Sequence, residues 1–513
     1  MIPRIRLRIF VSVVSAAIAL LLTNAVPSWA QVAGATLTGT ITDSSGGEVP
    51  HAQVVIKDVS TGVERTVTTN KDGFYIAANL LPAEYQVTVS APGFNTEIKN
   101  GIKLNVGTEQ EFNLMLQVGT VTHRVEVTAE APAVQLSTSD ISATVQATTV
   151  RELPLNGRSW TDLAALQPGV DTIQTQPSFS SGADRGNRGF GQQLTISGAR
   201  PQQNNYRLDG VSLNDYANGA PGSVLGGSLG VDAIQEFSVL TSNYSAEYGK
   251  TSGGVVNAIT RSGTGAFHGS AYEFLRNSAL DARNFFDGPQ IPSFKRNQFG
   301  GSIGGPIIKE RTFFFFDYEG IRQSKGITAL TFVPSIPARS GFLQGSATPV
   351  TIDPAAQAAL AFYHLPNGPV TPDNPDIAEY RFSGQQVVNE NFYTTRLDHK
   401  ISEKDSMSGT YLFDKTPYTS PDGVNDVLLT TKSSRQIAVL EETHIFKPAF
   451  ANSIRFGYNY ENVDNNVGAK ALVPEAADTS LGTFPGRTAP QIFITGLTNF
   501  LGGVGGESAY FYH

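Results

Sequence analysis

The sequence contains no cysteine, and charged residues make up only 16% of its 513 positions. The absence of cysteine excludes disulfides and thiolate metal sites, but it leaves the compartment open because a large β-protein can be exported without crosslinks. The 37 lysines and arginines are outnumbered by 45 aspartates and glutamates, and no basic face indicates nucleic-acid binding. Nucleic acid is therefore not an expected partner.

Long apolar runs are absent beyond the N-terminus, where residues 9–22 follow a stretch with three arginines. This pattern predicts a secretory signal peptide over residues 1–30, cleaved between Ala30 and Gln31, and its loss would take the formal charge from −8 to −11. An uncleaved anchor helix is the alternative, although the run is shorter than the ~20 apolar residues that a span prefers. A membrane protein without spanning helices must form a closed barrel, because lipid offers the backbone no hydrogen bonds.

Glycine and aromatic residues are plentiful, with 51 Gly, 30 Phe and 17 Tyr. This composition favours β-structure with many tight turns over a helical enzyme. The length suggests three or four modules at about 150 residues each. We therefore expect a mainly β chain with several cores.

Residues 31–118 carry short alternating runs separated by turn signals, which predicts a β-sandwich of about seven strands. Residues 66–69 and 74–76 are expected to pair as a hairpin, with Gly73 at positive φ in its turn. Tyr85, Val87 and Val89 should share one face of a strand.

The ordered signatures of this segment resemble the carboxypeptidase-regulatory-like domain, a transthyretin-like or carbohydrate-binding-like sandwich. The matching positions include Gly39, Ile41, Asp43, Val49, Pro50, Ala52, Val54, Asp72, Gly73, Tyr75, Gly93 and Phe94. The resemblance implies a non-catalytic module of the kind found at the N-terminus of outer-membrane receptors. A role as a simple spacer and a role in ligand binding both stay open.

Residues 133–265 contain ordered motifs at 153–163, 206–211 and 234–257, which together resemble the plug domain of TonB-dependent receptors. The resemblance implies an α+β plug whose last sheet strands lie in the third motif. Ser159 or Thr161 should cap a short helix.

A linker over residues 119–132 separates the two modules and alternates like a strand before Pro132 stops it. The pentapeptide Val125, Glu126, Val127, Thr128 and Ala129 resembles a TonB box. The resemblance implies contact with a TonB-like energy transducer in the periplasm, through pairing of an extended segment with the edge of that partner's sheet. An ordinary linker strand is the alternative interpretation.

Residues 266–513 alternate apolar and polar side chains, as transmembrane β-strands do over about 10 residues. In residues 454–461 every even position is apolar or aromatic, and residues 407–414 alternate similarly. Residues 402–406 are expected to form a short periplasmic turn and residues 415–434 an outside loop.

Residues 267–277, 297–306 and 312–320 resemble the first barrel strands of the acidobacterial and myxobacterial receptor group with this domain order. This resemblance implies the start of a transmembrane β-barrel in contact with outer-membrane lipid. A soluble sandwich with aromatic strands is the alternative. A 22-stranded barrel needs roughly 220 residues in strands alone, so we expect the sequence to be a fragment holding the N-terminal part only.

Isolated enzyme-like motifs occur, but none lies in the context that its chemistry requires. His123 and Glu126 match a zinc-binding tetrapeptide without a third ligand, and residues 226–230 match G-x-S-x-G without a preceding hydrophobic strand. We expect no enzymatic activity and no catalytic, metal or cofactor site.

The predicted function is import of a ligand through a plugged barrel in the cell outer membrane. The resemblance implies a carbohydrate or a siderophore-like molecule as the small ligand. An outer-membrane adhesion or structural protein whose plug never moves is the alternative from another class.

Overall fold

A computed structural model describes residues 34–119, 124–128, 141–153, 155, 157–175, 191–214, 230–249, 251–283, 291–447, 450–504 and 510–512. The predicted signal peptide, with Ala30 and Gln31, lies outside these residues. Strands dominate the described chain, as its composition predicts. Among the described helices, none has the length and apolar character needed to cross a bilayer.

The first unit is a two-sheet sandwich. Its strands are β1 (Ala35–Asp43), β2 (Gln53–Asp58), β3 (Glu64–Thr68), β4 (Phe74–Leu80), β5 (Ala83–Ser90), β6 (Thr96–Leu104), β7 (Glu109–Glu111), β8 (Leu114–Leu116) and β9 (Arg124–Thr128). One sheet has the order β4-β1-β7 with β8 also paired to β1, and the other has the order β3-β2-β5-β6-β9. Tyr85, Val87 and Val89 are buried together in the core between the sheets, which confirms their predicted shared face.

The predicted hairpin between residues 66–69 and 74–76 is wrong. β3 pairs with β2, whereas β4 pairs with β1 in the opposite sheet. In the connection between β3 and β4, the Asn70 side chain accepts the backbone N–H groups of Asp72 and Phe74, both at 2.9 Å, and so stabilises the turn. Gly73 does have the expected positive φ, 65°.

The second unit is the plug. Its strands are β10 (Ile141–Gln146), β11 (Val170–Thr175), β12 (Gly191–Ile196), β13 (Asn205–Leu208), β14 (Val211–Ser212), β15 (Ile234–Ser242) and β16 (Val255–Thr260). The main sheet has the order β10-β15-β16-β13-β14, and β11 and β12 form a separate hairpin. The antiparallel pair β15 and β16 confirms the strands expected in the third plug motif.

Among its described residues, the plug contains one short α-helix and several 3-10 helices. They are α1 (Ala147–Glu152) and the 3-10 helices Trp160–Leu166, Pro201–Gln203, Val231–Ala233 and Ala246–Tyr248. Ser159 precedes the first 3-10 helix, but its side chain makes no capping hydrogen bond and lies 2.8 Å from the Thr161 hydroxyl instead. The expected cap is therefore wrong in its contacts, although the helix exists where it was predicted.

The third unit is an antiparallel sheet that we call the wall. Its strands are β17 (His268–Asn277), β18 (Phe294–Ile308), β19 (Thr312–Pro334), β20 (Ile377–Lys400), β21 (Asp405–Pro421), β22 (Val427–Lys447), β23 (Phe450–Ala471) and β24 (Tyr510–Tyr512). Each strand pairs with the next along the chain. The helices between them are α2 (Ile336–Arg339), α3 (Pro354–Ala359) and the 3-10 helices Ser278–Leu280, Leu360–Phe362, Pro474–Ala477 and Thr479–Leu481.

The wall has one apolar outer face and one face that contacts the plug. On β23, Ile454 and Phe456 are 64% and 65% exposed. The odd-numbered residues of this run point the other way, since Asn459 donates a hydrogen bond to the plug carbonyl of Ser212 at 2.9 Å. This arrangement confirms the alternation predicted for residues 454–461.

The loop expected at residues 415–434 is wrong. β21 continues to Pro421 and β22 starts at Val427, so this segment is a long hairpin with a tight turn. Asp422 closes the turn by accepting the backbone N–H groups of Asp426 and Val427 at 2.7 and 3.2 Å. The strands extend further than the ~10 residues that a membrane crossing needs, because the ladder between them continues without interruption.

The sandwich lies against one end of the wall. Lys400, at the end of β20, donates to the carbonyl of Glu64 at 2.9 Å, and Asn79 donates to Glu441 on β22 at 3.0 Å. The short turn at residues 401–404, which matches the predicted connection, lies at this same end. A cavity of about 190 Å³ remains between the two units.

Candidate functional site at the plug and wall interface

A sharp turn between β13 and β14 carries the carboxylate at the centre of the interface. Asp209 and Gly210 both have positive φ, 46° and 82°. Asp209 accepts the backbone N–H of Thr260 at 2.9 Å and the Thr260 hydroxyl at 2.7 Å. These bonds hold the carboxylate in place from within the plug. The turn belongs to the motif at residues 206–211 that resembles a plug signature.

Two residues of the wall reach the same carboxylate. Thr410 on β21 donates its hydroxyl to Asp209 at 2.8 Å, and Arg396 on β20 approaches the carboxylate at 3.3 Å. Arg396 is 4% exposed and also contacts Asp398 at 2.9 Å, so two carboxylates flank one guanidinium. A buried charge is tolerated when it is paired and hydrogen-bonded in this way.

A second ionic cluster joins the plug to the first wall strands. The plug residue Arg158 lies 2.7 Å from Asp232 of the plug and 3.4 Å from Glu319 on β19. Its guanidinium stacks 3.9 Å from the ring centre of Tyr272 on β17. The Tyr272 hydroxyl donates to Glu319 at 2.6 Å, which links β17, β19 and the plug through one carboxylate.

A third contact involves the backbone just after the Asp209 turn. Arg435 on β22 donates to the carbonyl of Leu213, and Val211 packs against Gly457 on β23. A Cβ placed on Gly457 would lie 2.5 Å from a methyl group of Val211. A glycine is therefore required for this close approach between the plug and the wall.

Apolar contacts complete the interface. Leu412, Ile437 and Val439 of the wall belong to the same buried cluster as the plug core. Within that core the Trp160 and Phe237 rings meet edge to face, with centres 5.0 Å apart. The plug is thus anchored by ion pairs around its edge and by apolar packing at its centre.

The plug also contacts the sandwich through a buried carboxyl group. Glu236 on β15 is 5% exposed and accepts the backbone N–H of Val106. Burial raises the pKa of Glu236 to about 7 from its ordinary value of 4.5, while the Val106 hydrogen bond opposes that rise. This group can change charge near neutral pH at the junction of two units.

The TonB-box-like segment lies in β9, which is an added strand of the sandwich. Val125, Glu126, Val127 and Thr128 fall within this strand, whereas Ala129 lies outside the described residues. β9 runs parallel to β6, with Thr96 opposite Arg124 and Asn100 opposite Thr128. The structure therefore separates this segment from the residues that hold the plug in the wall.

The sequence did not point to the residues that anchor the plug. Arg158, Asp232, Glu319 and Arg396 lie in no motif that carries chemistry by its spacing alone. A usable signal was the position of Arg396, since it follows Val388, Phe392 and Thr394 at even positions that the structure buries. A charged residue on this buried face of the strand indicates a partner of opposite charge on the side of the wall that faces the plug.

One group of side chains could offer ligand atoms to a metal ion. Asp405, Glu442 and His444 have such atoms within 4.8 Å of one another. Nδ1 of His444 and a carboxylate oxygen of Asp405 lie 2.5 Å apart, so these two of the three side chains already contact each other. We assign no catalytic role to this cluster.

Each of the three units matches a known protein family. Residues 36–117 match the Carboxypeptidase regulatory-like domain, residues 135–256 match the TonB-dependent Receptor Plug Domain, and residues 259–513 match the Outer membrane beta barrel domain. The wall is therefore barrel structure, and the family of matching proteins consists of transporters and receptors rather than enzymes.

Individual relatives agree with these matches. The chain is 27% identical to the TonB-dependent transporter Oar of Myxococcus xanthus, over 55% of this chain and 26% of that protein. It is 28% identical to the probable TonB-dependent siderophore receptor PirA of Acinetobacter baumannii, over 36% of this chain and 25% of that protein. The chain thus spans about a quarter of the length of these relatives.

Among solved structures, the outer membrane transporter YddB from Escherichia coli aligns with a TM-score of 0.41 at 14% identity. The alignment covers 63% of this chain and 39% of that one.

With its regulatory-like sandwich, its plug and its outer-membrane barrel strands, the chain belongs to the TonB-dependent receptors that carry an N-terminal carboxypeptidase regulatory-like domain.

Proposed function

We propose that the protein imports a ligand across the outer membrane, by remodelling its plug when a periplasmic energy transducer pulls on the segment around β9. The ligand would bind on the side of the barrel opposite the sandwich. The energy comes from the partner, so the mechanism requires no nucleotide or cofactor in this chain.

One observation carries the proposal. Within the described ranges, the plug and the wall form separate sheets, and no backbone ladder joins them. Side chains such as Arg396 and Thr410 hold the Asp209 turn instead. Side-chain contacts can be exchanged for water one at a time, whereas a shared ladder would make the plug a fixed part of the barrel.

The placement of the sandwich supports a periplasmic location for the N-terminal units. Outer-membrane barrels have short turns on the periplasmic side and longer segments outside. The sandwich contacts Lys400 beside the short turn at residues 401–404, while the longer segment at residues 335–376 lies at the other end of the strands. The segment around β9 would then be accessible to a transducer in the periplasm.

The ligand class we propose is a carbohydrate or a siderophore-like molecule. The sequence of the sandwich resembles a carbohydrate-binding-like type, and one matched relative is named as a probable siderophore receptor.

The test substitutes Val127 in the full-length protein and measures ligand uptake by intact cells. Proline at position 127 removes a backbone N–H and prevents regular strand pairing, so we expect uptake to be lost while the amount of receptor in the outer membrane is unchanged. Val127→Ala is the matched control, because it shortens the side chain and keeps the N–H. Unchanged uptake in Val127→Pro would favour the alternative, an adhesion or structural protein with a static plug.

A further inference from the structure

The position of β9 gives the sandwich a role beyond that of a spacer. Thr96 to Asn100 of β6 lie opposite Arg124 to Thr128 of β9 over five consecutive residues. β6 already pairs with β5 on its other side. Without β9, this half of β6 would be an unpaired edge strand, which is a ready template for pairing with another chain.

The chain path keeps β9 close to this edge. The backbone N–H of Asn95 donates to the carbonyl of Gln117 at 2.9 Å, and that of Gly119 donates to Gly93 at 3.1 Å. The chain therefore leaves the sandwich beside the first residue of β6. Few residues separate Gly119 from Arg124, so docking of β9 costs little loop-closure entropy.

The other edge of β9 ends the sheet. The strand order is β3-β2-β5-β6-β9, and in the parts of the chain that the structure covers no strand pairs with the far side of β9. Successive residues of a strand direct their N–H and C=O groups to alternate sides. Half of the backbone groups of β9 are thus used by β6, and the other half are directed toward the open edge.

We propose that the sandwich presents β9 to the energy transducer as a preformed edge strand. The partner is a periplasmic protein with an exposed β-strand, and its strand would add to the open edge of β9 and extend the five-stranded sheet to six. This inference rests on the proposed function, since it assumes that the segment around β9 is the point of energy coupling. In this arrangement the segment binds the partner while it stays paired with β6.

Preformation has a physical advantage. Fixing the backbone in an extended conformation costs conformational entropy, and a segment already held in that conformation has lost this entropy before the partner arrives. Association between strands is then tighter than for a free peptide of the same sequence. If the sandwich instead hides the segment and the partner must displace β6 from it, the free peptide should bind the partner more tightly than the docked segment does.

The first experiment tests the docking of β9 in the full-length protein, using engineered cysteines. The 513 residues contain no cysteine, so any disulfide within them must come from the introduced pair. Lys99 lies opposite Val127, and we expect Lys99→Cys with Val127→Cys to crosslink on mild oxidation. Lys103→Cys with Val127→Cys is the matched control, because Lys103 lies four residues further along β6. Equal crosslinking of both pairs, or of neither, would show that β9 is not docked in this register and would overturn the proposal.

The second experiment measures binding of the purified periplasmic domain of the organism's TonB-like protein to the Lys99→Cys, Val127→Cys variant. Presentation predicts that the oxidised and reduced forms bind within about threefold of each other, and that a peptide of residues 119–132 binds at least tenfold more weakly. Loss of binding on oxidation, restored by a reductant, would establish competition and overturn this inference while leaving the import function intact. Absence of binding to the reduced variant, the wild type and the peptide alike would instead remove the proposed partner and both proposals with it.

Discussion

Asp209 accepts hydrogen bonds from both the plug and the wall, and this makes it the residue on which the interface depends most directly. Its positive φ, 46°, is a conformation that aspartate tolerates better than most side chains. The motif around residues 206–211 was recognisable from the sequence. Its wall partners, Arg396 and Thr410, were not, because they lie 187 and 201 residues further along the chain.

Replacement of Arg396 by methionine should destabilise the plug. The change leaves Asp209 and Asp398 buried without their cation, and breaking such a pair costs about 3 kcal/mol or more. The free energy of unfolding can be followed by Trp160 fluorescence, since Trp160 is buried in the plug and Trp29 lies in the predicted signal peptide. The double variant Arg396→Met, Asp209→Asn is the control and should recover part of the loss. Equal stability of the single variant and the wild type would contradict the interpretation of this cluster.

Glu236 predicts a pH dependence at the contact between the plug and the sandwich. Its pKa is raised to about 7, so the folded state favours the protonated form. The stability from this group is fully present below pH 4.5 and is lost as the pH rises through 7, by up to about 3 kcal/mol at 1.36 kcal/mol per unit.

Hydrogen exchange of the Val106 amide measures this effect, after correction for the intrinsic rate. Protection should fall between about pH 4.5 and 7 in the wild type and level off above that range, and it should change little in Glu236→Gln, which stays neutral. A parallel fall in both proteins would exclude Glu236 as the cause.

At the scale of elements, the alternation of apolar and polar residues was the most informative property of the sequence. It identified β21 and β23 and the faces of their residues, because a strand buried on one side and in lipid on the other must alternate. It did not give the strand ends. Residues 415–434 are polar enough to suggest a loop, yet the hairpin ladder includes most of them. Polarity alone cannot distinguish a loop from a strand that continues into water.

A charge on the outer face should disturb insertion of the barrel. Phe456 is exposed on β23 toward the predicted lipid side, and lysine there should cost about 2 kcal/mol. We expect a lower yield of folded Phe456→Lys in the outer membrane and a lower urea midpoint after extraction. Phe456→Leu keeps the apolar contact and should resemble the wild type. Normal insertion of the lysine variant would mean that this face does not contact lipid.

At the scale of the whole molecule, the order of sandwich, plug and barrel was predictable because each unit carries several motifs in sequence. The relative placement of the units was not, since contacts such as Lys400 with Glu64 join residues far apart in the chain. The position of β9 on the sandwich was also unforeseen. A short alternating segment indicates a strand but does not identify its partner.

A crosslink between the plug and the barrel should stop transport. The Cβ of Val211 lies 3.3 Å from an ideal Cβ on Gly457, close to the spacing in a disulfide. In Val211→Cys, Gly457→Cys we expect oxidation to block ligand uptake and a reductant to restore it, with ligand binding to cells unchanged. The reduced double variant and the single variant Val211→Cys control for the substitutions themselves, because Gly457→Cys alone would clash with the Val211 methyl groups. Uptake that persists in the oxidised form would show that this part of the plug stays in place during transport.

The apolar residues that the barrel shares with the plug core set a limit on how far the plug can move. If the whole plug withdrew, the channel would fill with water and wet Leu412, Ile437 and Val439. Exposure of three such side chains costs roughly 5–9 kcal/mol, at about 1.5–3 kcal/mol each, before any ion pair is broken. Mechanical work applied from the periplasm would accomplish more by opening a narrow passage beside the Asp209 turn than by extracting the plug as one body.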